Sequence, residues 1–313
     1  MNATHILTLH PPPDFAFWRT AYSHGWCDLP PFSFDATRQE LGRVLSLADG
    51  TVVRCVIRSA GAGVRVQVDA PRRLQPGQTH EVRSRIRTCL RFDEDLTPFH
   101  AIARAVPEYR WIAAARAGRL LRAPTVFEDA VKMICTTNCT WHLTVIMVRA
   151  LVERFGISCG DATAFPAPAA MAAATEGELR RSCSTGYRAR SLLELAERVS
   201  TGKLDIERWR ISETTTEQLF DEMCGVRGIG PYAAGNLLKL VGRYDYLGLD
   251  SWVRKQYALL HTRARRVKDA TIERRYAQFG RWRGLLFWLE MTRDWHDEKF
   301  ARPGRNRPSV THT

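Results

Sequence analysis

Residues 225–232 read GVRGIGPY, and a lone acid, Asp250, stands in LGLDSWVRK twenty residues after Gly230. Glycines at 225, 228 and 230 permit positive φ and let the backbone come close to a ligand. Pro231 suits the first turn of a helix, where its missing N–H costs nothing. Together they would leave free N–H groups at the positive end of a helix, a seat for one phosphate. A plain helical turn is the other reading of the same residues. Asp250 also has two readings. It is either the N-cap of the helix SWVRKQYALL, or a carboxylate that the return loop brings back to the hairpin mouth, with Leu247 and Leu249 making its approach apolar.

The elements that would position these groups are visible in the hydrophobic pattern. GRVLSL, TVVRCVIRS and VRVQVDA are β-branched runs separated by ADG and AGAG, as in consecutive hairpins. Val64, Val66 and Val68 alternate with polar residues, so one face of that strand is apolar. THEVRSRIRTCLRF then reads as an amphipathic helix covering the sheet. From about Thr125 the pattern turns helical. TVFEDAVKMI has Thr125 and Glu128 in capping-box spacing, with Phe127, Ala130, Val131 and Ile134 in one stripe. LTVIMVRALVERFG ends at Gly156, and TEGELRRSC, ARSLLELAERVSTG, TTTEQLFDEM and RRYAQFGRWRGLLFWLEMT supply further helices. The expected fold is α+β: a small antiparallel sheet domain with helices over 1–118, an all-α domain over 119–300, and a basic disordered tail over 301–313.

Composition narrows the class. With 45% hydrophobic residues in 313, the chain has enough apolar material for real cores. No run of eighteen apolar residues occurs, which argues against a membrane span. The first residues lack a basic start, a long apolar stretch and a cleavage site, so the expected location is the cytoplasm or nucleoid, or a nucleus, and not the secretory route. The net charge of +13 would attract polyanions. From Ser251 onward there are 15 Lys and Arg against 6 Asp and Glu; TRARRVK clusters arginines, and GRWRG sets two beside Trp282. Eight scattered cysteines include no C-x-x-C pair, and none follows Cys224, so neither a structural zinc site nor a C-terminal iron–sulfur cluster is expected.

GVRGIGPYAAGNLLKL followed by LGLD resembles the helix–hairpin–helix DNA glycosylases in residue type and spacing. The resemblance extends through LLRAPTVFEDAVKMICTTNCTW and CSTGYRARSL to WRGLLFWLEMT, roughly residues 119–300. The N-terminal strands are similar to the sheet domain of the family's alkylation-repair and 8-oxoguanine branches. The resemblance implies that Asp250 is catalytic, that Gly225, Gly228, Gly230, Asn138 and Arg254 bind DNA, and that Tyr232, Trp252, Trp141 and Tyr187 are base-pocket candidates. Asn138, in the turn between two helices, would enter the gap left by a flipped nucleotide; a helix cap is its alternative. Arg254 or the helix N-terminus would keep Asp250 ionised. Bifunctional members carry a lysine two residues after the last hairpin glycine. Here that position is Tyr232, and Lys239 lies too far along the helix to substitute.

A monofunctional enzyme is therefore implied, acting as a monomer on duplex DNA that holds a damaged base. It would activate water and leave an abasic site. No metal or organic cofactor is implied, only a monovalent cation at the hairpin. An alkylated base is the preferred substrate class, because both the lysine and the iron–sulfur cysteines are missing. The alternatives are an oxidised or deaminated base, or a non-catalytic hairpin binder of damaged DNA, which would have no use for a carboxylate beside the phosphate it repels.

Overall fold

The computed structural model describes residues 3–295, so the expected basic tail over 301–313 lies outside the described residues. Strands β1 (Ala3–Leu9), β2 (Phe32–Asp35), β3 (Glu40–Ser46), β4 (Val52–Ala60) and β5 (Gly63–Ala70) form one antiparallel sheet in the order β1-β5-β4-β3-β2. Strands β3 to β5 are the consecutive hairpins expected from the sequence. β1 completes one edge by pairing Leu7 with Val66 and Leu9 with Val64, and β2 completes the other. The inward face carries Val64, Val66, Val68, Cys55 and Ile57, all buried. A short α1 (Phe17–Ala21) follows β1, and α2 (Pro76–Leu90) turns Val82, Ile86, Cys89 and Leu90 inward.

Helices α3 (Thr97–Ala105) and α4 (Arg110–Ala114) lead into α5 (Val126–Thr136) and α6 (Trp141–Phe155). A small ribbon, β6 (Ser158–Cys159) with β7 (Ala162–Thr163), precedes α7 (Pro168–Ala172), α8 (Glu176–Ser182) and α9 (Ala189–Ser200). Then come α10 (Thr216–Cys224), α11 (Pro231–Val241), α12 (Ser251–His261), α13 (Asp269–Tyr276) and α14 (Arg283–Met291). The architecture is α+β, as expected. Among the described residues, no helix is long and apolar enough to cross a membrane.

Two details depart from the sequence reading. Thr125 does cap α5 by accepting from the Glu128 N–H at 3.3 Å, but Glu128 does not return the bond. Its carboxylate instead takes a fork from Arg43 of β3 (2.7 and 2.6 Å) and an ion pair from Lys132 (2.7 Å), and all three are buried. Strand alternation explains this: Arg43 lies between Leu41 and Leu45 and must face inward. Burial alone would raise the Glu128 pKa, but Arg43 and Lys132 hold it below the usual carboxylate range.

The apolar packing also divides the chain differently from the expected boundary at 118. One core runs from the sheet through α2, α5, α6, α9, α10 and α11. The other joins Leu96, Phe99, Tyr109 and Ile112 to Tyr244, Tyr257 and the residues of α13 and α14. Thus α3 and α4 leave the sheet and pack against the last helices. The segment between the two cores, after α11, carries Asp250.

Candidate active site

The hairpin consists of α10, the turn 225–230 and α11. Thr215 and Gln218 make a reciprocal capping box that starts α10, and Gly225 ends it, donating to the Asp221 and Glu222 carbonyls. The three glycines differ in what they do. Gly228 has φ +88°, and a Cβ there would sit 2.7 Å from Ser191 Cβ. Gly225 has an ordinary φ of −70°. Gly230, also with an ordinary φ, is the N-cap of α11 and faces open space, with nothing within 4 Å of an added Cβ. Pro231 follows as the first helical residue, and the first-turn amides of α11 have no intrahelical partner.

The chain returns through residues 242–249 to Asp250, whose Oδ1 accepts from the Val253 N–H at 2.7 Å. Asp250 is therefore the N-cap of α12, and it also lines a cleft of about 860 Å³ together with Gly228, Gly230, Pro231 and Tyr232. Its two sequence readings are compatible. Tyr232 stands between the Thr136 hydroxyl and the Asp250 carboxylate. Burial first, and then the Asp250 charge, push its phenol up to about 12, so it stays neutral. Leu249 supplies part of the apolar lining.

The opposite wall is the turn between α5 and α6. Asn138 lies there, exposed, with φ +47°, a conformation that asparagine tolerates better than most residues. It does not cap α6; that cap is Thr140, which accepts from the Leu143 N–H. Asn138 Nδ2 donates to the Tyr187 hydroxyl at 3.4 Å, and the Arg188 guanidinium lies 4.5 Å from the Tyr187 ring. Arg188 is buried and donates to both the carbonyl and the hydroxyl of Thr137, so it fixes the turn. Tyr187, 61% exposed, forms the rim of the cleft.

Three expected site residues lie elsewhere or are already engaged. Trp252, next to Asp250 in sequence, points into the second core against Trp288 and Trp295 (ring centroids 6.3 and 4.9 Å). Trp141 packs over Gly25, where an added Cβ would sit 2.3 Å from its ring. Arg254 borders the cleft, but its fork is taken by Asp269 at 2.8 Å on both arms. Thr136, Ser191 and Cys224, which the sequence did not single out, also line the cleft, as does Cys139, expected there only as a buried small hydrophobe. The doublet Thr136–Thr137 directly before Asn138 was the available signal. Cys135 is buried, with its thiol pushed up to about 12 by burial, as an inert small side chain should be. Among the described residues, no group of three His, Cys, Asp or Glu is placed to hold a metal.

This fold, a five-stranded sheet followed by a helical hairpin core, is that of solved DNA glycosylases. The 3-methyladenine DNA glycosylase from Archaeoglobus fulgidus superposes with TM-score 0.70 at 19% identity, over 93% of this chain and 99% of the other. The MBOgg1 structure in complex with a low-affinity DNA ligand gives 0.68 at 18%, over 94% and 96%. The Clostridium acetobutylicum 8-oxoguanine glycosylase/lyase, in complex with duplex DNA containing cytosine opposite 8-oxoguanine, gives 0.67 at 16%, over 95% and 98%. No family model matches the sequence, and no curated protein matches it.

Proposed function

We propose that the protein is a monofunctional DNA glycosylase of base-excision repair, working on duplex DNA with one damaged base flipped into the cleft. The observation that carries the reading is the juxtaposition of Asp250 with the open N-terminus of α11 across one cleft. The helix end would take a backbone phosphate and the cleft the extruded nucleotide. The bond between C1′ and the base nitrogen breaks, its electron pair leaves with the base, and positive charge builds on the sugar. Asp250 stabilises that charge and orients a water, whose oxygen bonds to C1′ as its proton is released. The product is an abasic site with a C1′ hydroxyl. Asn138, with Tyr187 beside it, stands where a side chain could fill the gap in the stack.

By the resemblance, Tyr232 stands at the sequence position where bifunctional members carry their lysine, and a phenol cannot form a Schiff base. The same cleft favours an alkylated substrate. Among the described residues, Asp250 is the only carboxylate that lines it, and no histidine does. Glycoside cleavage with a neutral leaving group ordinarily uses a second carboxyl as acid. An alkylated base that is already cationic leaves without one. No cofactor enters the step, and a monovalent cation at the hairpin is the one ion the reading admits. The protein would act as a monomer wherever the chromosome is, in a nucleoid or a nucleus.

The test is incubation with duplexes each carrying one modified base, followed by alkali to cut abasic sites. Alkali-dependent cleavage of alkylated duplexes is the expected result. Release of an oxidised or deaminated base instead would move the substrate class but keep the chemistry. Tight binding with no release from any duplex would leave a damage binder and refute catalysis.

A further inference from the structure

Lys239 is buried to 2% exposure inside α11, yet among the described residues its ammonium faces no carboxylate at bonding distance. It donates to the Leu247 carbonyl at 2.8 Å and to the Gly235 carbonyl and Asn236 Oδ1, both at 3.3 Å. Leu247 and Gly248 belong to the strap that ends at Asp250. The strap lies tightly on the helix: a Cβ on Gly235 would be 3.2 Å from Gly248 Cα, and one on Gly248 would be 2.6 Å from Lys239 Nζ. Lys239 comes seven residues after Tyr232, about two turns, so both share one face of α11. Asn236 links them by donating to the Tyr232 carbonyl.

We propose that Lys239 is a positioning residue for Asp250: its ammonium stitches the strap to α11 and so sets where the carboxylate stands over the cleft. The inference rests on the reading of Asp250 given above. A leucine would fill the same space without the cost of burying a charge. What only a charged donor adds is a strong bond to the strap carbonyl and a positive field at Asp250. Burial pushes Lys239 down to about 7, and the Asp250 carboxylate pulls it partly back. Other charged groups reach the same stretch of backbone: Arg91, paired with Glu94, donates to the Lys239 carbonyl at 2.9 Å, and Arg122 to the Leu240 carbonyl at 3.0 Å. The Tyr232 phenol, neutral below about 12, adds no charge.

The full chain has six lysines, few enough to follow one by one in a carbon-13 NMR titration of lysine ε-carbons. One signal, missing in Lys239→Arg, should titrate near neutrality and shift lower in Asp250→Asn. A Lys239 signal that titrates with the exposed lysines, or ignores Asp250→Asn, overturns the proposal whatever the protein's activity. Kinetics give a second arm. Lys239→Met should slow single-turnover excision at least tenfold with duplex affinity within twofold, and its rate should lose the wild type's decline above pH 7. Lys239→Gln, which still donates to Leu247, should recover part of the rate. Wild-type rates and pH profiles in both folded variants would also overturn it. A wild type that excises nothing would refute the functional reading, and the titration would still decide the stitch.

Discussion

Two buried lysines, Lys132 on α5 and Lys239 on α11, show how differently this molecule treats interior charge. Lys132 is 2.7 Å from Glu128, a carboxylate it shares with the Arg43 fork, so it touches an opposite charge directly. That network joins the sheet to the helix leading to Asn138. Among the described residues, Lys239 meets neutral oxygens and the more distant field of Asp250. Burial lowers the pKa of both. The first arrangement is a structural joint built on one carboxylate, with Arg43 Nε buried beside it and without a hydrogen-bond partner among the described residues. The second remains short of negative charge, beside the one carboxylate that the proposed chemistry needs.

Breaking the joint should have the largest effect on stability. Glu128→Gln leaves Arg43 and Lys132 buried without their carboxylate, and denaturant unfolding should show a loss of about 3–5 kcal/mol. Excision by the folded fraction should stay within a few-fold of wild type. Because folding lowers the Glu128 pKa, its contribution is present above the ordinary glutamate range and is lost as pH falls. The gap between wild type and variant should therefore shrink in acid.

The hairpin glycines give a smaller and divided effect. Gly228→Ala must place a side chain at φ +88° against Ser191 and should cost about 1–3 kcal/mol, with weaker binding to duplexes of every sequence. Gly230→Ala has room and an ordinary φ, so melting should not change and only affinity should fall, alike for all sequences. Equal melting losses in the two variants would contradict the roles assigned to these glycines.

Lys239 should reveal itself by a slope of the opposite sign. Its folded pKa, about 7, lies below the ordinary 10.5, so the unfolded chain binds more protons between those values and stability rises with pH. The stability of wild type relative to Lys239→Met should move in the wild type's favour from pH 7 to pH 9. A flat difference would mean that Lys239 is not the poorly compensated charge described here. The smallest expected signal is none at all: borohydride should trap no covalent adduct between the wild type and damaged DNA. Efficient trapping would show that an amine reaches the sugar and would end the monofunctional reading.

Local chemistry was legible in the sequence, and side-chain direction was not. The hairpin, the cap at Thr125 and strands β3 to β5 are each specified by neighbours within a few residues. β1 pairs Ala3 with Ala70, a partner that no local pattern announces. The place of Asp250 at the cleft was foreseeable because the length of α11 and its return strap limits where the chain can end. Trp252 and Trp141 misled because closeness in sequence to a site residue does not set direction. On α12, the step from Asp250 to Trp252 turns the indole into the second core. Arg254 finds Asp269 fifteen residues later, a partner visible only once α13 folds back. Lys239 was read only for its distance from the hairpin; its burial under the strap is a tertiary fact.

Replacing Asp250 with asparagine tests the central claim most directly. Asparagine keeps the shape and can still accept from the Val253 N–H, so the cost to folding should be a few tenths of a kcal/mol to about 1 kcal/mol. It removes the charge proposed to steady a cationic sugar, and a loss of that kind typically costs at least about 10²-fold in rate, or about 3 kcal/mol. On an alkylated duplex, Asp250→Asn should bind as well as wild type or better, since repulsion from phosphate is gone, and excise at least a hundredfold more slowly. Excision within a few-fold of wild type by the folded variant would place the chemistry elsewhere, and a variant that cannot fold would leave Asp250 a helix cap and nothing more.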